Sequence, residues 1–314
     1  MRGRIIPRRY CINMTELESL RQELDALKAE VTSLRQASAA ADDYRQITNA
    51  MMGHVYSYYN HSERNDLKTF WVQSRDDIVY AHNNRGYFGK QGVWEYYIDG
   101  TDRTKKNYHK YAREIYNLEY PEGTAPGYRV IHVLGSPYIE IAGDRKTAQG
   151  IWMSFSFMSN MNAQGVANPS YVLQRFAGDF LNENGVWKLW HVRDYTDVSM
   201  EIETNTEGPE VARDDQGRPI ERMGPPMGGK KGAPDMPPPG KDDKPPIQQE
   251  DGKKVRKLVL ESSNMYNPWT VTRNEPAIPM PYEKWDFSVA NYGPAAEQLA
   301  RYGLDVNDWY AVYG

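Results

Sequence analysis

His132 holds the most chemical promise in this 314-residue chain. Tyr128, Val130, His132 and Leu134 share one face of a strand by its two-residue period, and Arg129, Ile131 and Val133 share the other. A neutral imidazole with a pKa near 6.5 can take up a proton at physiological pH. Two roles are open to it, a base in a pocket or a histidine hydrogen-bonded within the core. Tyr80 and His82 lie two residues apart on one face of a short strand-like stretch, which makes His82 a pocket neighbour of a phenol. Asp77 and Asp179 are candidates to orient a histidine, while His191 and Asp194, near the end of the last strand, are expected at the surface. The glycine patterns of dinucleotide and phosphate loops, the Gly-x-Ser-x-Gly elbow and Cys/His ligand clusters are absent from the sequence. The chemistry expected is therefore cofactor-free and metal-free acid–base catalysis.

The elements that must position these residues are legible from periodicity. From Tyr44, Ile47, Met51, Val55 and Tyr58/Tyr59 recur at helical spacing, with Leu67, Phe70 and Trp71 following. Ile78–Tyr80 reads as a short strand and Gly92–Ile98 as a short helix. Strands follow at Tyr138–Ile141, Ala148–Met158, Tyr171–Leu181 and Trp187–Arg193, with turns at Gly143–Arg145 and Asn182–Gly185. Ile151, Met153, Phe155 and Phe157 alternate with Trp152, Ser154 and Ser156. The fold class is α+β, with helices laid on one face of a highly curved antiparallel sheet.

Tyr59-Asn-His-Ser-Glu-Arg-Asn-Asp-Leu67, Gly86-Tyr-Phe-Gly89, the stretch His132–Asp144, and Arg175-Phe176 followed by Asn184-Gly-Val-Trp-Lys188 and His191 together resemble a SnoaL-like domain. That domain belongs to the nuclear transport factor 2-like cone-fold superfamily. The likeness runs over about residues 40–203 and lies nearest the dehydratase and lyase branch of the scytalone dehydratase type. It implies a cone-shaped cavity, with His132 as base and Tyr59 as the phenol that polarises a carbonyl or helps expel hydroxide. Tyr80 is implied as a second phenol. Tyr56, Asn60, His82, Trp152 and Arg175 are implied as substrate-binding neighbours. Asn60 departs from an aspartate common at its position, and Trp152 stands near a histidine position of that branch. The same fold hosts isomerases, cyclases and plain binding modules. The function implied is a cofactor-independent lyase, a dehydratase or related C–O or C–C bond-cleaving enzyme, acting on a hydrophobic aromatic or polycyclic alcohol or ketone. A ring isomerase or cyclase, and a non-catalytic ligand-binding or assembly module, are the alternatives.

Composition bounds the rest. A net charge of −4 with a pI of about 5.9 offers no footprint for nucleic acid, and no apolar run is long enough for a bilayer span. Lone Cys11 and the missing secretory h-region point to the cytoplasm. Residues 1–13 form a basic leader, with Met14 a candidate start. Within residues 14–38, Leu17, Leu20, Leu24, Leu27, Val31 and Leu34 alternate spacings of three and four, as in a coiled coil that joins copies into a dimer or trimer. An amphipathic helix packed on its own domain is the other reading. Residues 204–254, rich in Pro, Gly, Asp and Lys, read as a linker, and residues 255–314 as an extended, aromatic-rich arm.

Overall fold

The structure is a computed structural model, and it describes residues 14–59, 62–83, 85–116, 119, 128–161, 167–202, 248–250, 253–259, 266, 276–285, 292–293 and 300. The leader, Asn60, most of the linker and much of the arm lie outside the described residues. Two compact units divide the chain, residues 1–46 and 47–314.

Helix α1 (Met14–Tyr59) is continuous over 46 residues, where periodicity suggests two helices. The run Ala37-Ser-Ala-Ala-Ala41 joins them, because alanine is the strongest helix former. Its first part leaves Leu17, Leu20, Leu24, Leu27, Val31 and Leu34 between 36% and 61% exposed. Its last part turns Ile47, Met51, His54 and Val55 into the core of the second unit.

That unit is a mixed α+β structure with a curved, largely antiparallel sheet. After α1 come α2 (Glu63–Thr69), β1 (Val79–His82), β2 (Arg85–Phe88), α3 (Gly89–Trp94), a π-helical turn (Glu95–Asp99) and α4 (Gly100–Tyr116). The short helix expected at 92–98 is seen as α3 with the π-helical turn, whereas α4 was not expected; it is mostly polar in sequence, and Tyr108 on it is buried. The strands β3 (Arg129–Leu134), β4 (Tyr138–Ile141), β5 (Thr147–Met161), β6 (Ala167–Glu183) and β7 (Val186–Glu201) follow. Asn184 and Gly185, both at positive φ, make the tight turn between β6 and β7. Strands β8 (Gln248–Glu250) and β9 (Lys253–Val259) add beyond β2, where the sequence suggests the end of the linker and the start of the extended arm.

The sheet order is β3-β5-β6-β7-β1-β2-β9-β8, with β4 also on β5. The β1–β7 pair is parallel and sets His82 opposite Asp194. On β5 the apolar row does not face the core: Met153 and Phe155 are about half exposed, and Trp152, Ser154 and Ser156 are buried. Buried polar side chains are tolerated where each finds a partner, and the two serines do.

The opposite sheet face carries its own buried polar knot. Asp179 accepts hydrogen bonds from Gln149 Nε2 (2.8 Å) and from the backbone N–H of Tyr292 (2.8 Å), and it lies 2.7 Å from His191 Nδ1. Tyr282 donates to Thr147 at 3.0 Å, and Trp285 packs on Trp190 with ring centroids 4.7 Å apart. Asp179 therefore ties β5, β7 and the C-terminal segment together. Asp179→Ala removes the shared acceptor of three buried donors and should lower unfolding stability by about 3 kcal/mol or more. Urea denaturation of the full chain checks this; a change under about 1 kcal/mol would contradict it.

Candidate active site

A polar row crosses five strands on the inner sheet face and ends at a buried carboxylate. Asp194 on β7 is 4% exposed and accepts hydrogen bonds from Tyr80 Oη (3.0 Å) and Gln174 Nε2 (3.2 Å). His82 Nδ1 lies 2.8 Å from it. Gln174 spends its amide N–H on Asp194, so its Oε1 accepts, and the Ser156 hydroxyl donates to it at 3.0 Å. Ser156 has then given away its only proton. The 2.8 Å contact between His132 Nδ1 and Ser156 Oγ must therefore be Nδ1–H donating to oxygen. The chain of bonds puts the His132 proton on Nδ1 and the lone pair on Nε2.

The electrostatics agree with that assignment. Burial lowers the His132 pKa to about 4, with the nearby charges of His54 and His82 pushing the same way and Asp194 opposing them. The ring is thus neutral at physiological pH. Burial would raise Asp194, but His82, His132 and the Tyr80 hydrogen bond outweigh it and hold the carboxyl below its ordinary value. Burial would likewise lower His82, and Asp194 overcomes it, so its pKa is raised. Asn83 pins the His82 ring from the other side: its Oδ1 accepts from Thr196 N at 2.9 Å, which aims Nδ2 at His82 Nε2, 3.1 Å away. Both nitrogens of His82 are engaged, so this ring supports Asp194.

Aromatic rings enclose His132. Phe176 and Tyr58 meet it edge-on, at centroid distances of 4.9 and 6.0 Å. The Tyr58 hydroxyl oxygen is buried and has no hydrogen-bond partner among the described residues. Tyr58 is braced by His54 (5.6 Å) and Tyr97 (5.1 Å). Behind it, His54 Nδ1 meets Asp66 Oδ2 at 2.8 Å and His54 Nε2 meets Tyr97 Oη at 3.1 Å, so the neighbouring imidazole is engaged at both nitrogens.

The sequence-derived candidates divide accordingly. His132, Tyr80 and His82 join one network. Tyr59 is 43% exposed and Tyr56 58%; they pack against each other, and Arg129 lies over Tyr59. The phenol beside His132 is Tyr58, one residue earlier. Tyr80 spends its proton on Asp194, with Tyr96 Oη 3.4 Å away. Trp152 is buried in the core near Phe180, at 5.9 Å. Arg175 points to the other sheet face and pairs with Asp197 at 2.5 Å. His191 and Asp194, expected at the surface, are both buried, because β7 is an interior strand of the sheet. Asp77 accepts from Trp190 Nε1 and Arg75 and orients no histidine, whereas Asp179 does hold His191. Ser156, Gln174 and Tyr58 were missed; polar residues on otherwise apolar inward rows, and the 11-residue step from Ile47 to Tyr58, were the available signals. Among the described residues no group of three or more His, Cys, Asp or Glu could hold a metal ion, and no helix is long and apolar enough to cross a membrane.

Comparison with known proteins gives a fold-level likeness. No family model matches the chain, and no curated protein does. Solved structures similar to it include NTF2-like proteins, the superfamily that the sequence resembles. A provisionally named scytalone dehydratase from Novosphingobium aromaticivorans is 11% identical, with a TM-score of 0.39, over 60% of this chain and 99% of that one. The hexachlorocyclohexane dehydrochlorinase LinA-type3 from Novosphingobium barchaimii is 13% identical, with a TM-score of 0.36, over 57% and 99%. An NTF2-like protein with a cystatin-like fold from Novosphingobium aromaticivorans is 14% identical, with a TM-score of 0.33, over 59% and 90%. At these identities and TM-scores the likenesses carry no argument about activity.

The His132 shift has a sign that stability can report. Its folded pKa of about 4 lies below the ordinary 6.5, so on acidification the unfolded chain binds this proton first. Stability should fall as pH drops from about 6.5 to about 4, by about 3 kcal/mol from this group. The His132→Phe variant should lose that part of the slope in denaturation curves taken across the window. An unchanged slope would contradict the assignment.

Proposed function

We propose that this protein is a cofactor-independent lyase that removes water from a neutral, hydrophobic β-hydroxy ketone, by acid–base catalysis at His132. One observation supports the reading: the His132 ring, whose bonding leaves Nε2 unprotonated, meets the Tyr58 ring edge-on, and the Tyr58 hydroxyl is buried with no hydrogen-bond partner among the described residues. A base and a donor are thus carried on adjoining rings, and a carbonyl compound can engage both.

In this mechanism Nε2 takes the proton from the carbon next to the carbonyl. The electron pair left behind moves onto the carbonyl oxygen, where the Tyr58 O–H stabilises the enolate. Collapse of the enolate forms the carbon–carbon double bond and expels the β-hydroxyl. The imidazolium returns the same proton to that leaving oxygen, so the products are an enone and water, and His132 is neutral again. Through Ser156 and Gln174 the Asp194 carboxylate orients the ring and offsets its transient charge. A base with a pKa of about 4 demands an acidic C–H, which favours a ketone conjugated with an aromatic ring. Phe176 and Tyr58 supply flat apolar walls for such a ring.

A panel of aromatic β-hydroxy ketones, read by the ultraviolet absorbance of the enone, tests the proposal. His132→Ala should lower kcat/KM by ~10²- to 10⁴-fold, and Tyr58→Phe by ~10²-fold, whereas Tyr59→Phe should leave the rate near wild type. The wild-type rate should fall as pH drops through about 4, where the base becomes protonated. An active His132→Ala variant would overturn the assignment. A product with a moved double bond and no loss of water would make the protein an isomerase instead. Bound ketones that never turn over would make it a binding module.

A further inference from the structure

We propose that residues 16–35 of α1 zip against the same segment of a second copy of this chain, as a parallel two-stranded coiled coil. The proposal is independent of the catalytic reading. In this stretch Leu17, Leu24 and Val31 occupy position a of a heptad and Leu20, Leu27 and Leu34 position d. All six are more than a third exposed, an apolar seam that none of the described residues covers.

Charge identifies the occupant. Glu16, Glu23 and Glu30 fall at position g, and Arg21, Lys28 and Arg35 at position e. In a parallel pair each g residue faces the e residue five positions later on the other helix. The contacts are then Glu16 with Arg21, Glu23 with Lys28 and Glu30 with Arg35, all attractive and each made twice. In an antiparallel pair g faces g and e faces e, which sets glutamate against glutamate and cation against cation. One sequence thus complements a parallel copy of itself and repels an antiparallel one. Lys28 contacts Asp25 at 3.2 Å within the helix, but both side chains are well exposed and such pairs are weak enough to exchange. Leucine at every d position fits two strands, and Val31, the β-branched a residue beside Leu17 and Leu24, favours them. The seam stops where Ser38 takes the next a position.

Sedimentation equilibrium of the full chain at micromolar concentration should return twice the mass of the 36.1 kDa chain. The double variant Leu24→Glu/Leu27→Glu should halve that mass without changing the near-ultraviolet circular dichroism of the second unit. For orientation, Leu20→Cys combined with Cys11→Ser should cross-link to a covalent dimer under mild oxidation, since equal d positions meet only in a parallel coil. A monomeric or trimeric wild type, a double variant that remains dimeric, or a failure of Leu20→Cys to cross-link would each overturn the proposal.

Discussion

The site depends on the burial of one carboxylate. Asp194 lies inside the sheet, where an ion is tolerated only if donors surround it, and Tyr80, His82 and Gln174 are those donors. Once Gln174 commits its N–H to Asp194, the rest follows by elimination. Its Oε1 must accept, Ser156 must donate, and His132 must donate from Nδ1. A charge on β7 thereby decides which nitrogen of a histidine on β3 is basic, although the two side chains do not touch. A polar row of this length is stable only when complete, so its members hold one another in place.

Opposing forces set the reactivity of His132. Burial among Phe176 and Tyr58 strips solvent from the ring and pushes its pKa down, and Asp194 pulls part of the way back. The result is a base that stays free at physiological pH, at the expense of strength. Tyr58 shows the complementary pattern. Its ring is wedged between His54, Tyr97 and His132, while its buried hydroxyl has no hydrogen-bond partner among the described residues, an arrangement that costs stability. An unpaired buried donor is a debt that a ligand oxygen can settle.

Local pattern was enough to read β1, β3 to β7 and the Asn184–Gly185 turn, because period two and positive-φ residues act locally, but not β2, β8 or β9. It failed where long-range pairing decides. On β5 the more apolar row is exposed and the serine row buried, a choice that makes sense only with Gln174 and His132 as partners from neighbouring strands. Asp194 looked like a surface residue because nothing near it in sequence shows that β1 adds in parallel alongside β7. Tyr58 and Tyr59 are adjacent in sequence but about 100° apart on the helix, so a one-residue choice separates a phenol with a buried hydroxyl from an exposed one. Helix α4 escaped notice because its sequence is dominated by polar residues, which mask its few apolar positions.

The central claim is the tautomer of His132, and nitrogen NMR of the ring reads it directly. With the histidines labelled with ¹⁵N and His132 assigned by comparison with His132→Gln, the spectrum at neutral pH should show a protonated, pyrrole-type Nδ1 and an unprotonated, pyridine-type Nε2. Free histidine prefers the opposite arrangement, so the result is not the default. A His132 ring protonated on Nε2, or on both nitrogens, would contradict the chain of bonds from Asp194 and the base assignment with it.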